Sequence, residues 1–132
     1  MLAITVLTDM LEEECQAVYC GSINQVVLRF ALMAKEADMD GIVCSPQELR
    51  FLIGEFEELL SLKKVTPNIR PGSVVVHGDD QNPKRKANEC EAIEWGSDWL
   101  VIGRAITQAD DPVAAVHDIN HRINLALESK TT

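Results

Sequence analysis

The 132 residues suffice for one domain, and a composition with 46% hydrophobic and 25% charged residues is that of a folded globular protein. The 21 acidic and 12 basic residues give a net charge of −9, which argues against general binding of nucleic acid or anionic membranes, because both reward dense positive charge. The acidity is uneven, since residues 1–62 hold 11 acids and 3 bases whereas residues 63–132 hold 10 acids and 9 bases. The second half is therefore the better host for an anionic ligand.

The four cysteines contain no Cys-x-x-Cys pair, and the first residues do not read as a signal peptide. No apolar run approaches the ~20 residues that a membrane-spanning helix needs. We therefore expect unpaired thiols, no membrane contact and a cytoplasmic location.

The predicted elements alternate between strand and helix along the chain. Short apolar runs rich in β-branched residues predict buried parallel strands at 2–7, 41–44, 62–66 and 99–102. Helical spacing and end signals predict helices at 12–19, 23–37, 45–56, 88–95 and 111–127. A capping box at Ser45 and Glu48 marks one helix start, and the stretch from 72 to 86 is polar and irregular. The whole chain, 1–132, is thus predicted to be one α/β domain of four βα units.

Four βα units with a parallel sheet are half of a (β/α)8 TIM-type barrel, in which ligands meet the loops that follow the strands. Thr8, Arg70, Gln81, Gly103 and Arg104 all follow predicted strands. An arginine fork donates two parallel hydrogen bonds to a phosphate, and a glycine lets an anion approach the backbone closely. These residues therefore predict an anion site, although a surface ion pair is the alternative for Arg104.

Four stretches of the sequence resemble successive motifs of orotidine 5′-monophosphate decarboxylase, in that family's order and at nearly its spacing. They are residues 4–8 (ITVLT), 41–48 (GIVCSPQE), 65–71 (VTPNIRP) and 101–109 (VIGRAITQA). The resemblance implies a (β/α)8 barrel that works as a homodimer, needs no cofactor, and converts orotidine 5′-monophosphate to uridine 5′-monophosphate and carbon dioxide.

The resemblance also implies roles for the loop residues. Thr8 would lie at the pyrimidine or its ribose, and Arg70 and Arg104 would lie at the phosphate, with Gly103 adding a backbone contact. Gln81 would bridge phosphate and base from a loop that closes over the ligand. The sequence departs from the family at Asn68, where Gly is usual, at Ala105, where Pro is usual, and by extra residues in the closing loop at 78–85.

The family's catalytic array of Lys and Asp residues is missing from these 132 residues, which contain no Asp-x-Lys-x-x-x-Asp spacing. The chain resembles only the carboxyl-terminal half of the family, so we assign no catalytic residue and expect the chain alone to be inactive. It would then be either one piece of a decarboxylase completed by a separate amino-terminal half, or a truncated, non-catalytic βα protein whose main property is self-association. An unrelated βα binding domain is the third alternative.

Two other patterns are weaker signals. His117 and His121 are four residues apart on a predicted helix and could chelate a metal, but exposed helix positions are the favoured interpretation, so no metal is expected. The basic run 84–86 is interpreted as solvated or phosphate-facing rather than as a nucleic-acid site. The expected partners are a nucleotide monophosphate or phosphate and a second copy of the chain.

Overall fold

The computed structural model describes residues 1–72, 76–79 and 83–130. Four parallel strands form one sheet in the order β1-β2-β3-β4, with helices between them, which confirms the predicted half-barrel of βα units. The elements in chain order are β1 (Leu2–Ile4), α1 (Glu12–Tyr19), α2 (Ile23–Glu36), β2 (Gly41–Val43), α3 (Pro46–Glu55), β3 (Lys63–Thr66), α4 (Glu89–Glu94), β4 (Trp99–Leu100), α5 (Arg104–Thr107) and α6 (Pro112–Lys130). Short 3-10 helices cover Glu57–Leu59 and Pro83–Arg85.

The hydrophobic core lies between one face of the sheet and the helices α2 and α3. The face of α2 that carries Val26, Val27 and Ala31 is fully buried, and it meets Ile42 and Cys44 from the sheet. The start of α2 is fixed by Ser22, whose hydroxyl accepts a hydrogen bond from the Gln25 N–H at 3.3 Å. This packing holds the strands in place, so that their carboxyl ends form a common edge.

The first and last strands are shorter than predicted. β1 ends at Ile4 and β4 at Leu100, because the neighbouring strands end at Val43 and Thr66 and leave little backbone to pair with. One further hydrogen bond continues each ladder, from the Thr5 N–H to the Val43 carbonyl and from the Val101 N–H to the Thr66 carbonyl. The prediction of a buried strand is wrong for one face of β1, since Leu2 and Ile4 are exposed.

The face of the sheet turned away from the helices carries a row of apolar side chains. Ile4, Val43, Val65 and Trp99 are partners in one register across the four strands, so they share a face. The outer two are open, with Ile4 61% and Trp99 58% exposed. In a closed barrel this face would be the interior.

Two helical segments were not predicted. α5 is only four residues long, and the 3-10 turn Pro83–Arg85 lies in the stretch interpreted as irregular.

Within the described residues no single helix is both long and apolar enough to cross a membrane, whereas α1 and α2 meet that criterion only as a pair with a 54° bend between them.

Candidate functional site

The loop after β3 brings Arg70 to the carboxyl edge of the sheet. The chain leaves β3 through Asn68, which adopts a left-handed backbone with φ +67°. Ile69 then forms a parallel bridge with Ala87, and the Arg70 N–H donates to the Ala87 carbonyl at 2.9 Å. Arg70 is therefore fixed beside the segment that follows the 3-10 turn.

Three cationic side chains meet at the carboxylate of Asp79, and we call this group the Asp79 cluster. Arg70 donates to it from Nε at 2.9 Å and from Nη2 at 2.7 Å, a bidentate geometry. Lys86 donates from Nζ at 2.6 Å, and Nη2 of Arg104 lies 3.8 Å away. The loop after β3, the segment before α4 and the loop after β4 thus each bring one positive charge to the same carboxylate.

Arg104 reaches the cluster from the loop after β4. Its Nη1 donates to the Gly78 carbonyl at 2.6 Å, next to Asp79 in the chain. Gly103 immediately precedes α5, and apart from its two chain neighbours no atom of the described residues lies within 4 Å of the position that a Cβ would take there. Gly103 therefore leaves the Cβ side of its backbone uncrowded by the other described residues.

The electrostatics of the Asp79 cluster oppose those of the whole chain. Arg70, Lys86 and Arg104 contribute +3 and Asp79 contributes −1, which leaves +2 at the cluster in a chain with net charge −9. All four side chains are only partly buried, so the cluster is accessible from solvent. Such a concentration of fixed cations attracts an anion.

The basic run 84–86 does not behave as one solvated group. Arg85 is 3% exposed and forms a buried ion pair with Glu48, which is 2% exposed. Its Nε lies 3.1 Å from Oε1 and its Nη2 lies 3.1 Å from Oε2 of that carboxylate. The interpretation of Arg85 as solvated or phosphate-facing is therefore wrong. The Glu48 carboxylate at the start of α3 accepts hydrogen bonds from both Nε and Nη2 of the Arg85 guanidinium.

Arg85 also ties the loop after β1 to the rest of the edge. Its guanidinium donates to the carbonyls of Val6 and Leu7, which directly precede Thr8. From the same turn of α3, the Gln47 amide donates to the Lys86 carbonyl at 3.0 Å. These contacts hold the backbone around Lys86 while its side chain reaches Asp79.

The structure brings together two of the five predicted site residues directly. Arg70 and Arg104 share Asp79, and Gly103 adjoins Arg104. Thr8 is half-buried in the turn after β1, at the same edge of the sheet. Gln81 lies outside the described residues.

Sequence reasoning missed two members of the cluster. Asp79 lies in the closing loop at 78–85 and had no assigned role, whereas Lys86 belongs to the basic run that was interpreted only as solvated or phosphate-facing. Their convergence could not be read from spacing, because it depends on the bridge between Ile69 and Ala87.

Lys64, His117 and His121 do not belong to the Asp79 cluster. Burial lowers the pKa of Lys64, against the opposing effect of the Asp98 carboxylate. Its Nζ donates to the Leu60 carbonyl at 3.1 Å, and Leu60 precedes β3, so Lys64 serves the amino end of the sheet. His117 and His121 are exposed on α6, and the described part of the chain contains no group of three or more potential metal ligands.

Comparison with known proteins decides the family. The sequence profile of the orotidine 5′-phosphate decarboxylase / HUMPS family matches residues 1–119. The chain belongs to this family. Orotidine 5′-phosphate decarboxylase from Pseudoalteromonas translucida is 45% identical over 124 residues, which are 93% of this chain and 50% of that protein. The enzyme of that name from Saccharophagus degradans is 41% identical over 90% of this chain and 48% of its own length.

The fold agrees with this membership. The crystal structure of orotidine 5′-phosphate decarboxylase from Lactobacillus acidophilus superimposes with a TM-score of 0.71 and 34% identity, over 93% of this chain and 48% of that one. The chain thus spans about half the length of the family members that it matches.

Proposed function

We propose that this chain binds the phosphate of a nucleotide monophosphate at the Asp79 cluster, and that it does not by itself decarboxylate that nucleotide. The observation that carries the proposal is the convergence of Arg70, Lys86 and Arg104 on one point at the carboxyl edge of the sheet. In (β/α)8 barrels, the loops after the last two strands frequently hold a phosphate.

The chemistry of the cluster suits a phosphate monoester. Two arginine forks can each donate paired hydrogen bonds, and the lysine adds a point charge. The open backbone at Gly103 can approach a phosphate oxygen that Arg104 contacts. The nucleotide itself, orotidine or uridine 5′-monophosphate, is supported by family membership, with Thr8 proposed at the base or ribose and Gln81 proposed to bridge phosphate and base.

The absence of turnover follows from what these residues can supply. Decarboxylation needs a proton donor and a charged array matched to the transition state, and electrostatic stabilisation is usually the largest catalytic term. The 132 residues hold no Asp-x-Lys-x-x-x-Asp spacing, and the cations of the Asp79 cluster are the groups proposed to hold the phosphate. A ligand that is held only by its phosphate gains no stabilisation of the transition state for decarboxylation.

Self-association is the second proposed property. The row that begins with Ile4 and ends with Trp99 leaves apolar surface open, and within the described residues β1 and β4 are the edge strands of the sheet. A second copy, or a separate amino-terminal half, would cover it.

Calorimetric titration with uridine 5′-monophosphate tests the binding proposal. Arg104→Ala should weaken binding about 10- to 100-fold, because a hydrogen bond to a charged group is worth about 1.5–3 kcal/mol. Arg29→Ala is the matched control, since it removes the same charge from an exposed position on α2, where Arg29 contacts the ring of Phe30. Equal affinity in the wild type and Arg104→Ala would refute the assignment of the site.

A further inference from the structure

The centre of the Asp79 cluster already holds an anion that belongs to the chain. Oδ1 of Asp79 accepts from Arg70 Nη2 and faces Arg104 Nη2, whereas Oδ2 accepts from Arg70 Nε and Lys86 Nζ. Each carboxylate oxygen is thus shared between two cations. This is the arrangement that the same cations would offer to two oxygens of an external anion.

We propose that Asp79 is a specificity-determining residue of the anion site, because its carboxylate occupies the place of the ligand's anionic group and has to be displaced when the ligand binds. The inference rests on the proposed phosphate binding at this cluster and adds which anions the site accepts. Asp79 and Arg70 are nine residues apart, so the internal carboxylate competes at the high effective concentration of a short tether.

Charge then selects the ligand. A monoanion replaces one negative charge with another and gains nothing over the tethered carboxylate. A phosphate monoester dianion brings a second negative charge to three cations that carry +3 between them. Displacement is therefore favourable for dianions and not for carboxylates or other monoanions.

Geometry favours the same class. Asp79 contacts Arg70 and Lys86 at 2.6–2.9 Å, and its Oδ1 lies 3.8 Å from Nη2 of Arg104. A phosphate monoester presents three terminal oxygens. It therefore offers one oxygen more than the Asp79 carboxylate to the same three cations, Arg70, Lys86 and Arg104.

Titration of the full chain with inorganic phosphate tests the inference. Asp79→Asn removes the internal anion while keeping the size of the side chain, and it should bind phosphate about tenfold more tightly than the wild type, a change of ~1.4 kcal/mol. Asp40→Asn is the control, because it removes the same charge from an exposed residue at the amino end of the sheet, whose backbone pairs with Met1 and Lys63. The control should bind phosphate as the wild type does.

The outcomes separate this inference from the proposal beneath it. Equal or weaker binding by Asp79→Asn, with wild-type binding that is lost in Arg104→Ala, would overturn the inference and leave the proposed function standing. No binding of phosphate or uridine 5′-monophosphate by either the wild type or Asp79→Asn would overturn both.

A measurement on the unaltered chain covers the case in which Asp79→Asn does not fold. The carbon NMR signal of the Asp79 carboxyl should shift as phosphate is added, with the same saturation curve as the backbone amide of Arg104. A carboxyl signal that stays fixed while the Arg104 amide saturates would show that Asp79 is not displaced, and the inference would be wrong.

Discussion

At the scale of single residues, Asn68 combines an unfavourable backbone conformation with a buried amide beside the site. It is 4% exposed and has a left-handed backbone, φ +67°, which glycine adopts without strain and asparagine tolerates better than most residues. Among the described residues neither amide atom of Asn68 has a hydrogen-bond partner. A buried amide without partners costs about 1–3 kcal/mol.

Asn68→Gly should therefore stabilise the chain by about 1 kcal/mol, because it removes the unpaired amide and relaxes the backbone while adding the entropy of glycine to the unfolded state. Urea unfolding at a fixed protein concentration measures the change. Asn68→Ala is the matched variant, since it removes the same amide but keeps a Cβ at positive φ, and it should gain less than Asn68→Gly. A lower unfolding midpoint for Asn68→Gly would mean that the amide makes a stabilising contact.

At the scale of elements, the segment from Pro83 to Asn88 depends on the first turn of α3. Glu48 accepts from the Ser45 N–H at 2.8 Å, as a capping box requires, and the same carboxylate pairs with Arg85. One local helix signal therefore also anchors the segment that carries Lys86. Breaking a buried pair by removing one partner leaves an uncompensated charge, so Glu48 links helix stability to the geometry of the site.

Local signals in the sequence predicted most elements, because hydrogen bonds between residues close in sequence fix the amino ends of several helices. Ser22 and Asn88 begin helices by exchanging side chain–backbone hydrogen bonds with the residue three positions on, and at Ser45 the N–H and the hydroxyl both donate to the Glu48 carboxylate. The short helix α5 was missed because four residues carry too little periodicity to register. Strand ends were misplaced because each depends on where its neighbour ends, which is not local information.

The residues of the site show the same difference between local sequence signals and contacts that depend on the fold. Arg70 and Arg104 were found from position after a strand and from family resemblance. The pairing of Arg85 with Glu48 joins residues 37 apart, and the pairing of Lys86 with Asp79 depends on how that segment is anchored, so neither follows from spacing. A run of three basic residues thus contains one buried structural arginine and one site lysine, a difference that only packing decides.

At the scale of the whole molecule, the sheet has one covered face and one open face. Leu2, Ile4 and Trp99 are exposed, and β1 and β4 are edge strands of the described sheet. Open apolar edges are templates for pairing with another chain, and extended apolar patches are uncommon on monomers. Two copies could close an eight-stranded barrel through paired edges with twofold symmetry, or associate through the loop-bearing rim.

We therefore predict a homodimer at micromolar concentration, because burial of this apolar surface outweighs the repulsion from a net charge of −9. Sedimentation equilibrium should give a species of twice 14.6 kDa. Ile4→Lys, at the exposed end of the apolar row, should shift the equilibrium toward monomer, whereas Val113→Lys, at an exposed position on α6, should not. A single 14.6 kDa species with cooperative unfolding would contradict the prediction.

The central claim, binding of the nucleotide without its conversion, is tested most directly by incubating orotidine 5′-monophosphate with purified chain at concentrations that saturate the site. We predict that the absorbance of orotidine 5′-monophosphate falls no faster with the chain than in a control without it. Calorimetry should at the same time measure binding that is weakened in Arg104→Ala. Turnover that survives further purification and is lost in Arg104→Ala would show that these 132 residues contain a catalytic centre, and would contradict it.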